Sequence, residues 1–379
     1  MIMNFRRVKK YQFPKLIFMC CVLSTLMLYW EQVDHHVVSH MKSFSYRYLI
    51  NSYNFINKSL SVSHEEASSF NSFPYLIDHK NTCIEKDVLL LLFVKTSPEH
   101  FLRRQAIRST WGNQTYIKRE LGVNVKVVFV MGVHPDGHKH DAIQKQLQAE
   151  DQIYKDLVQQ AFLDTFHNLT VKLLLQFHWA HANCAHARFL MSADDDIFVH
   201  IPNLVRSLQE LSAQGVVDLW VGHVHRGSPP IRRKNSKYYV PVQMYPWSTY
   251  PDYTAGAGYV VSRDVADKIY QATLSLNASL HIDDVFMGIC AITVGVSPQE
   301  HVYFSGEGKA PYHPCIYEKM ITSHGHADDV SYLWKVATSP KVNGISSGFF
   351  GKLYCTAVKI RLLCWPSFTN TYSCKAAFL

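Results

Sequence analysis

FLMSADDDIFVH, the segment from Phe189 to His200, is an apolar stretch interrupted by Asp194, Asp195 and Asp196. Adjacent carboxylates repel one another, so burying them without a cation is costly or forces protonation. An exposed acidic turn is the alternative, but apolar residues on both sides favour a buried edge. We therefore predict a divalent cation at this turn, with oxygen ligands suited to Mn²⁺ or Mg²⁺.

Strands and helices alternate along the chain around this segment. Continuous apolar runs at Asp87 to Pro98 and at Val123 to Pro135 predict buried parallel strands. Periodicity predicts an amphipathic helix from His140 to Phe162 and another from Asn168 to Cys184. The order predicts an α/β fold with a mostly parallel sheet, in which ligands bind beyond the carboxyl ends of the strands. The three aspartates lie at such an end.

The N-terminal residues have the pattern of a membrane anchor. Basic residues accompany the start of an apolar run from Leu16 to Trp30, namely Arg6, Arg7, Lys9, Lys10 and Lys15. The run is short for a spanning helix, so a cleaved signal peptide is the alternative. We favour the anchor because no small-residue cleavage site follows, and Tyr29 and Trp30 suit a membrane–water interface.

Sequons and cysteines indicate the secretory pathway. N-glycosylation tripeptides begin at Asn57, Asn113, Asn168 and Asn277. Disulfides with one leftover thiol are expected among the irregularly spaced cysteines beyond the anchor, which are Cys83, Cys184, Cys290, Cys315, Cys355, Cys364 and Cys374. The net charge of +8 is concentrated in the N-terminal tail, and no basic stripe with interleaved aromatics supports nucleic-acid binding.

Four short motifs follow one another along the folded part of the chain. ADDDIFVH is accompanied by RRQAIRSTWG (Arg103 to Gly112), DYTAGAGYVVS (Asp252 to Ser262) and IDDVFMGIC (Ile282 to Cys290). Together they resemble the β1,3-glycosyltransferases of glycosyltransferase family 31, in which the first motif is the D-x-D element. An insert from His301 to Met320 and the tail SCKAAFL look most like a family member that transfers N-acetylglucosamine (GlcNAc) to glycolipids.

The resemblance implies a GT-A fold and a metal-assisted transfer from UDP-GlcNAc, in β1,3 linkage, to a glycolipid ending in galactose. It also implies a Golgi type II membrane protein. The expected layout is a cytoplasmic tail at 1–12, a transmembrane signal anchor at 13–30, a lumenal stem at 31–86 and a catalytic domain at 87–379.

Roles for the acid triplet follow from the same resemblance. Asp196 would bind the metal directly, while Asp194 and Asp195 would hold the donor ribose or reach the ion through water. A late histidine completes many such sites, and His324 fits the family pattern better than His326. Ordinary surface or hydrogen-bonded histidines are the alternative in a chain with 21 of them.

The second acid pair supplies the predicted base. Inversion at the anomeric carbon by direct displacement requires a base on the acceptor hydroxyl. The resemblance makes Asp284 the predicted base, because the second acid of this pair does not vary in the family, and Asp283 the fallback. A stabilising acidic pair at a helix N-terminus is the alternative interpretation.

Donor contacts are predicted in two of the motifs. Arg104 and Arg108 share one helix face by their spacing, and the resemblance puts them beside the donor; salt bridges are the alternative. Gly256 and Gly258 allow close approach of a ligand to the backbone, or simply a turn. The resemblance favours sugar binding.

Aromatic residues suggest two further surfaces. Tyr245, Trp247 and Tyr253 could stack on the acceptor sugar, with core packing as the alternative. The segment from Gly348 to Phe368 mixes large apolar residues with Lys352, Lys359 and Arg361, so it could lie against the lumenal leaflet. Core packing with a disulfide through Cys355 or Cys364 is the alternative.

Two other functions fit part of the pattern. A galactosyltransferase of the same fold differs in pocket contacts that the sequence does not identify. A non-catalytic lumenal carbohydrate-binding module would also use a metal and aromatics, but it needs neither the second acid pair nor the arginine-rich segment.

Overall fold

The structure is a computed structural model that describes residues 14–15, 17–23, 73–85, 87–342, 344–364 and 371–379. The chain divides into two compact units, residues 1–59 and 60–379. In the first unit the described residues are helical and largely exposed. Among the described residues, no helix has the length and apolar character to cross a bilayer. The predicted cytoplasmic tail, residues 13, 16 and 24–30 of the predicted anchor, and residues 31–72 of the predicted stem, including Asn57, lie outside the described residues.

A mixed sheet forms the centre of the second unit. The strands are β1 (Tyr75–Ile77), β2 (Leu90–Lys95), β3 (Val125–Val133), β4 (Leu157–Leu163), β5 (Phe189–Asp194), β6 (Phe198–Val199), β7 (Trp220–His225), β8 (Tyr253–Ser262), β9 (Gln299–Glu300) and β10 (Thr322–Ser323). Eight of them pair in the order β1-β4-β3-β2-β5-β8-β7-β9, and β6 pairs separately with β10. The strands β4, β3, β2 and β5 are parallel, whereas β8 is antiparallel to both neighbours.

Helices cover both faces of this sheet. They are α1 (Phe101–Ser109), α2 (Gln114–Glu120), α3 (Gly137–Tyr154), α4 (Leu169–Asn183), α5 (Ile201–Ala213), α6 (Arg263–Thr273), α7 (Asp283–Thr293), α8 (Pro314–Tyr317), α9 (Val330–Ala337) and α10 (Gly348–Leu363). Successive residues of β2 enter opposite hydrophobic clusters, since Leu92 belongs to one and Phe93 to the other. Burial on both sides explains the continuous apolar run, and the predicted α/β fold with a mostly parallel sheet is confirmed.

The helix predicted from His140 to Phe162 is too long. Helix α3 ends at Tyr154, because Lys155 has a left-handed backbone with φ of 54° and cannot continue it. The chain then forms β4, which pairs in parallel with β3 and buries Leu157 and Phe162. Two glutamines in the middle of β4 interrupt its apolar pattern, so the sequence of this strand resembles the continuation of an amphipathic helix.

The folded unit begins before residue 87, inside the predicted stem. Strand β1 pairs with β4, and Cys83 forms a disulfide with Cys184 at the end of α4. Two more disulfides join Cys315 to Cys355 and Cys364 to Cys374. The expected leftover thiol beyond the anchor is Cys290, which is buried in α7.

Three of the four sequons lie on described, partly exposed residues. Asn113 Oδ1 accepts a hydrogen bond from the Tyr116 N–H and caps α2. Asn168 precedes α4 as predicted, but its side chain donates to the Leu163 carbonyl instead of capping the helix. Glycosylation at these positions stays a prediction.

Candidate active site

The carboxyl ends of β2 and β5 meet beside the start of α7. Lys95, the last residue of β2, is in register with Asp194, the last residue of β5. Helix α7 begins at Asp283 and packs against β8, the other neighbour of β5. The fold therefore brings the two acidic motifs together although about 90 residues separate them. We call Asp194, Asp196, Asp283 and Asp284 the acid cluster.

Lys95 links the two acidic motifs. Its Nζ lies 3.0 Å from Asp283 Oδ2 and 3.1 Å from Asp194 Oδ1, and donates to the Gly256 carbonyl at 3.0 Å. These three partners use the three N–H bonds of the ammonium group. Burial alone would lower the pKa of Lys95, but the two carboxylates raise it above its usual value.

Lys95 is a site residue that was not predicted from the sequence. The available signal was a cation ending a fully apolar strand that is buried on both faces. Such a charge needs a partner in the interior, and the partner had to lie at the carboxyl end of the sheet.

The three predicted metal ligands, Asp194, Asp196 and His324, lie together. One side-chain ligand atom from each falls within 4.8 Å of the others, and all three residues are partly exposed. The pairing of β6 with β10 brings His324 beside Asp196, with Nε2 at 3.4 Å from Oδ1. Two carboxylates and one imidazole suit a divalent ion such as Mn²⁺. We call these three residues the metal group.

The pKa values of the three residues in the metal group shift in different directions. The contact with His324 lowers the pKa of Asp196, and the same contact raises the pKa of His324. Burial raises the pKa of Asp194, with contributions from the Asp283 and Asp196 carboxylates and opposition from Lys95. A cation here would relieve the repulsion between neighbouring carboxylates.

His326, the rejected alternative, is buried and bonded within the fold. Its Nε2 lies 2.7 Å from Ser323 Oγ and its Nδ1 lies 2.9 Å from Asp329 Oδ1. Its backbone N–H donates to the Asp196 carbonyl at 2.6 Å, which fixes the acidic turn. His326 thus supports the turn through its backbone.

Asp195 has a different environment from its two neighbours. Thr96 Oγ1 donates to its Oδ2 at 2.6 Å, and His100 Nδ1 lies 2.7 Å from the same oxygen. Arg103 Nη1 donates to its Oδ1 at 2.8 Å. Burial alone would raise the pKa of Asp195, but these hydrogen bonds lower it to about 2. The chain itself engages both oxygens, so Asp195 fixes the turn, and its ribose contact stays a prediction.

The predicted base and its neighbour differ in their partners. Asp283 is buried and paired with Lys95, whereas Asp284 Oδ1 accepts a hydrogen bond from the Val285 N–H at 2.8 Å. Burial raises the pKa of Asp284 to about 7, with a further rise from the Asp283 carboxylate. A carboxyl with a pKa near neutrality is suited to accept a proton.

The two predicted glycines differ in what they contact. A Cβ at Gly256 would lie 3.5 Å from Asp284 Cβ and 3.6 Å from Lys95 Nζ, so this glycine borders the acid cluster. A Cβ at Gly258 would lie 2.9 Å from Ile197 Cδ1, inside the hydrophobic core. Gly258 is therefore closely packed beneath the acidic turn, and a sugar contact there stays a prediction.

Arg104 and Arg108 share one face of α1, as their spacing predicted, but that face points inward. Arg104 is 0% exposed, and its donors reach both Glu150 oxygens and the carbonyls of Ser97 and Pro98. The prediction that Arg104 contacts a donor substrate is therefore wrong, because its N–H groups are used within the fold.

Arg108 belongs to the same ion-pair network. Its Nε and Nη2 donate to Asp156 at 2.8 and 2.7 Å, and Nη2 also lies 2.7 Å from Glu150 Oε1. Its guanidinium lies over the Tyr154 ring at 4.1 Å from the centroid. We call Arg104, Arg108, Glu150 and Asp156 the arginine cluster. The salt-bridge alternative describes Arg104. Arg108 also forms ion pairs, but its Nη1 has no hydrogen-bond partner within the described residues, so its donor contact stays a prediction. Arg103 is the arginine of the motif that reaches the acidic turn.

The three predicted acceptor aromatics have unequal exposure. Tyr245 is 1% exposed, with its hydroxyl donating to the Thr249 carbonyl, so it is a core residue and cannot present a face to a sugar. Trp247 and Tyr253 are partly exposed. Tyr253 Cβ lies 3.0 Å from where a Cβ would stand at Gly288, one turn along α7 from Asp284.

Similar proteins that align over the full length of the chain, or nearly so, carry the same enzyme name. A lactosylceramide 1,3-N-acetyl-beta-D-glucosaminyltransferase A of Danio rerio is 73% identical over all of both chains. A lactosylceramide 1,3-N-acetyl-beta-D-glucosaminyltransferase of Homo sapiens is 58% identical, again over all of both chains. The one of Rattus norvegicus is 59% identical over 98% of each chain.

The galactosyltransferase family model matches residues 102–302, which is more than half of the chain. The match spans both acidic motifs and ends before His324. The recognition made from the four motifs is thereby confirmed, and the high-identity relatives are transferases. The chain belongs to the galactosyltransferase family.

Proposed function

We propose that this chain transfers GlcNAc from UDP-GlcNAc, with inversion, to the terminal galactose of lactosylceramide or related neolacto-series glycolipids. The names of its full-length relatives support the donor and the acceptor. The single observation that carries the chemistry is the acid cluster, in which a metal group and a carboxyl of raised pKa lie at one end of the sheet.

The metal group would hold the divalent ion, Mn²⁺ or Mg²⁺, through Asp196, Asp194 and His324. Such an ion neutralises the charge that develops on the departing diphosphate. Asp195 keeps the turn in position through Arg103, His100 and Thr96. Asp194 thereby stays available on the side facing the donor, with about one third of its side chain exposed.

Asp284 would act as the general base. Its carboxylate accepts the proton of the galactose 3-hydroxyl as that oxygen forms a bond to the anomeric carbon of GlcNAc. The bond from that carbon to the diphosphate breaks, and UDP leaves with the electron pair. Asp283 is the less suitable base because its Oδ2 is paired with buried Lys95.

Lys95 would be a positioning residue. By bridging Asp194 and Asp283 it fixes the distance between the metal group and the base. It also holds the Gly256 carbonyl, so the glycine-containing strand stays close to Asp284. Fixed geometry between reacting groups is a large part of the rate gain in such displacements.

The acceptor sugar would stack on Trp247 and Tyr253. Trp247 rests on the buried Tyr245 ring, with centroids 4.9 Å apart, so the core supports the exposed ring. Tyr253 adjoins the start of α7, where the proposed base lies. Aromatic faces of this kind pack against the apolar face of a sugar.

We further propose a type II Golgi membrane protein with residues 13–30 as signal anchor and the catalytic unit in the lumen. The basic tail and apolar run support the anchor. Three disulfides in the second unit support an oxidising compartment.

The test is a transfer assay on the purified full chain with lactosylceramide, offering UDP-GlcNAc or UDP-galactose with Mn²⁺. We expect GlcNAc transfer that stops on chelation of the metal. Galactose transfer instead would favour a galactosyltransferase of the same family. Binding of the glycolipid without turnover of either donor would favour a carbohydrate-binding module and contradict the proposal.

A further inference from the structure

Helix α10 exposes its large apolar side chains, whereas a surface helix normally buries them. Its buried face is narrow and consists of Cys355, Lys359 and Leu363, spaced four residues apart. Its solvent face is apolar, with Phe350 83%, Phe349 76% and Leu353 59% exposed. Surface helices normally turn such residues inward, so this face requires a covering partner.

The charges on α10 have one sign. The helix contains no aspartate or glutamate, and Lys352 and Arg361 are exposed beside the apolar residues. Lys359, which the sequence grouped with them, is buried and donates to Tyr303 Oη at 2.8 Å. An exposed apolar stripe flanked by cations is the composition of helices that lie in a membrane interface.

The apolar face continues beyond the helix towards the metal group. The Tyr354 ring is tilted against the His313 ring with 6.2 Å between centroids, and the adjoining Tyr312 ring lies 6.5 Å from that of Tyr332. Both of those tyrosines are exposed, and Tyr312 Oη donates to Asp329 Oδ2 at 2.5 Å. Asp329 in turn contacts His326, two residues from His324.

Helix α10 is firmly attached to the fold. The Cys315–Cys355 disulfide joins its middle to α8, and the Cys364–Cys374 disulfide joins its end to the C-terminal segment. A rigid helix can present its exposed side chains without ordering them on contact, which favours binding.

We propose that the aromatic surface, defined as Phe349, Phe350, Leu353, Tyr354, Tyr312 and Tyr332, lies against a lipid bilayer and brings the catalytic end of the sheet to the membrane. The proposal rests on the proposed function in one respect, since an acceptor built on ceramide resides in a membrane. Aromatic rings occupy the interfacial layer, and Lys352 and Arg361 contact the phosphate groups of the lipid headgroups.

A second copy of the chain fits this surface less well. An isologous contact would bring Lys352 and Arg361 of the two copies towards each other, and α10 offers no carboxylate to pair with them. A bilayer satisfies both the apolar residues and, through its headgroup phosphates, the cations.

The direct test uses Phe350→Trp in the full chain, reconstituted into phosphatidylcholine–phosphatidylserine vesicles with brominated acyl chains. Bromine quenches indole fluorescence on contact. We expect the added emission to be quenched relative to unbrominated vesicles. In the matched control Ile153→Trp, which replaces an apolar residue on α3 that is 72% exposed, the added emission is expected to persist.

Equal quenching of the two variants, or none in either, would overturn the proposal. Cross-linking through position 350 to a second copy, with no quenching, would identify an interface between copies and would also overturn it. This readout needs no catalysis, so it judges the surface even if the proposed function fails.

A kinetic test uses Phe350→Ser/Leu353→Ser against the control Ile153→Ser/Val217→Ser. We expect the apparent KM for lactosylceramide in vesicles to rise about tenfold in the first pair, with kcat and transfer to free lactose unchanged. An unchanged KM for the vesicle acceptor contradicts the membrane surface. No transfer to either acceptor by the parent chain contradicts the proposed function.

Discussion

The acid cluster and the arginine cluster are two groups of buried or half-buried charges that differ in balance. In the arginine cluster, Arg104 and Arg108 face Glu150 and Asp156 in two-to-two pairing. In the acid cluster, Lys95 pairs with two of the four carboxylates, Asp194 and Asp283, and the His324 imidazole lies beside Asp196. The first group neutralises itself, whereas the second retains an excess of negative charge.

This difference separates structure from function in the two motifs. The balanced network has no net charge to attract a cation and holds α1 to α3, although Arg108 Nη1 has no hydrogen-bond partner within the described residues. An unbalanced one is expected to take up a cation and to raise the pKa of a carboxyl. Both clusters contain motif residues, so the motif alone does not distinguish their roles.

The largest expected effect comes from removing the base. We predict that Asp284→Asn lowers kcat by about 10²–10⁴-fold while the chain stays folded, since it removes the proton acceptor. Activity assays with unfolding curves measure both. Asp264→Asn, at the first turn of α6, is the matched control for an acid at a helix start and should keep kcat unchanged. Full activity in Asp284→Asn together with loss in Asp283→Asn would reassign the base.

Breaking the balanced cluster should act on stability instead. Arg104→Met leaves Glu150 buried without its main partner, so we expect a loss of about 3–5 kcal/mol in the free energy of unfolding. Denaturant unfolding measures it. Arg188→Met, which breaks the exposed pair with Asp87, should cost under about 1 kcal/mol. Similar losses in the two variants would mean that the arginine cluster is not a structural element.

The acid cluster should make the stability of the chain depend on pH. The folded-state pKa of Asp284 is about 7, above its usual value, so its contribution to stability is full at low pH and is lost as the pH rises through 7. We therefore predict that, in chelator, Asp284→Asn gains stability over the parent chain as the pH is raised from about 5 to 8. A constant difference across this range would contradict the raised pKa.

The smallest expected effect concerns the acceptor. Trp247→Ala should raise the acceptor KM about fivefold with little change in kcat, because one stacking face is lost. Tyr253→Ala should act similarly, and Val217→Ala, at another exposed apolar residue, should not. An acceptor KM unchanged by Trp247→Ala would reject the platform.

The sequence predicted the sheet because it follows from local patterns, whereas the joint role of the two acidic motifs came from the family resemblance. Apolar runs identified β2, β3 and β5, and strand ends in an α/β fold share one edge. It did not predict β4, where Gln159 and Gln160 are buried within the strand and break the pattern. Propensity alone does not reveal a strand whose position depends on pairing with β3.

The side-chain partners at the site could not be predicted from the sequence for a related reason. Arg104 was expected at a ligand because its motif was recognised, but Glu150, its partner, lies on another helix. Lys95 escaped notice because a single lysine carries no pattern, and its role depends on Asp283, far along the chain. Long-range pairing decides which charges are satisfied, and only the folded chain contains that information.

Thermal unfolding of the full chain with and without Mn²⁺ tests most directly whether the unbalanced acid cluster holds a cation. Binding at 100 times its dissociation constant should stabilise the parent chain by about 2.7 kcal/mol. We predict that Mn²⁺ raises the Tm of the parent chain and of Arg188→Met, and that Asp196→Asn and His324→Ala lose this rise. An equal rise in Asp196→Asn, or no rise in the parent chain, would contradict a metal site in the acid cluster.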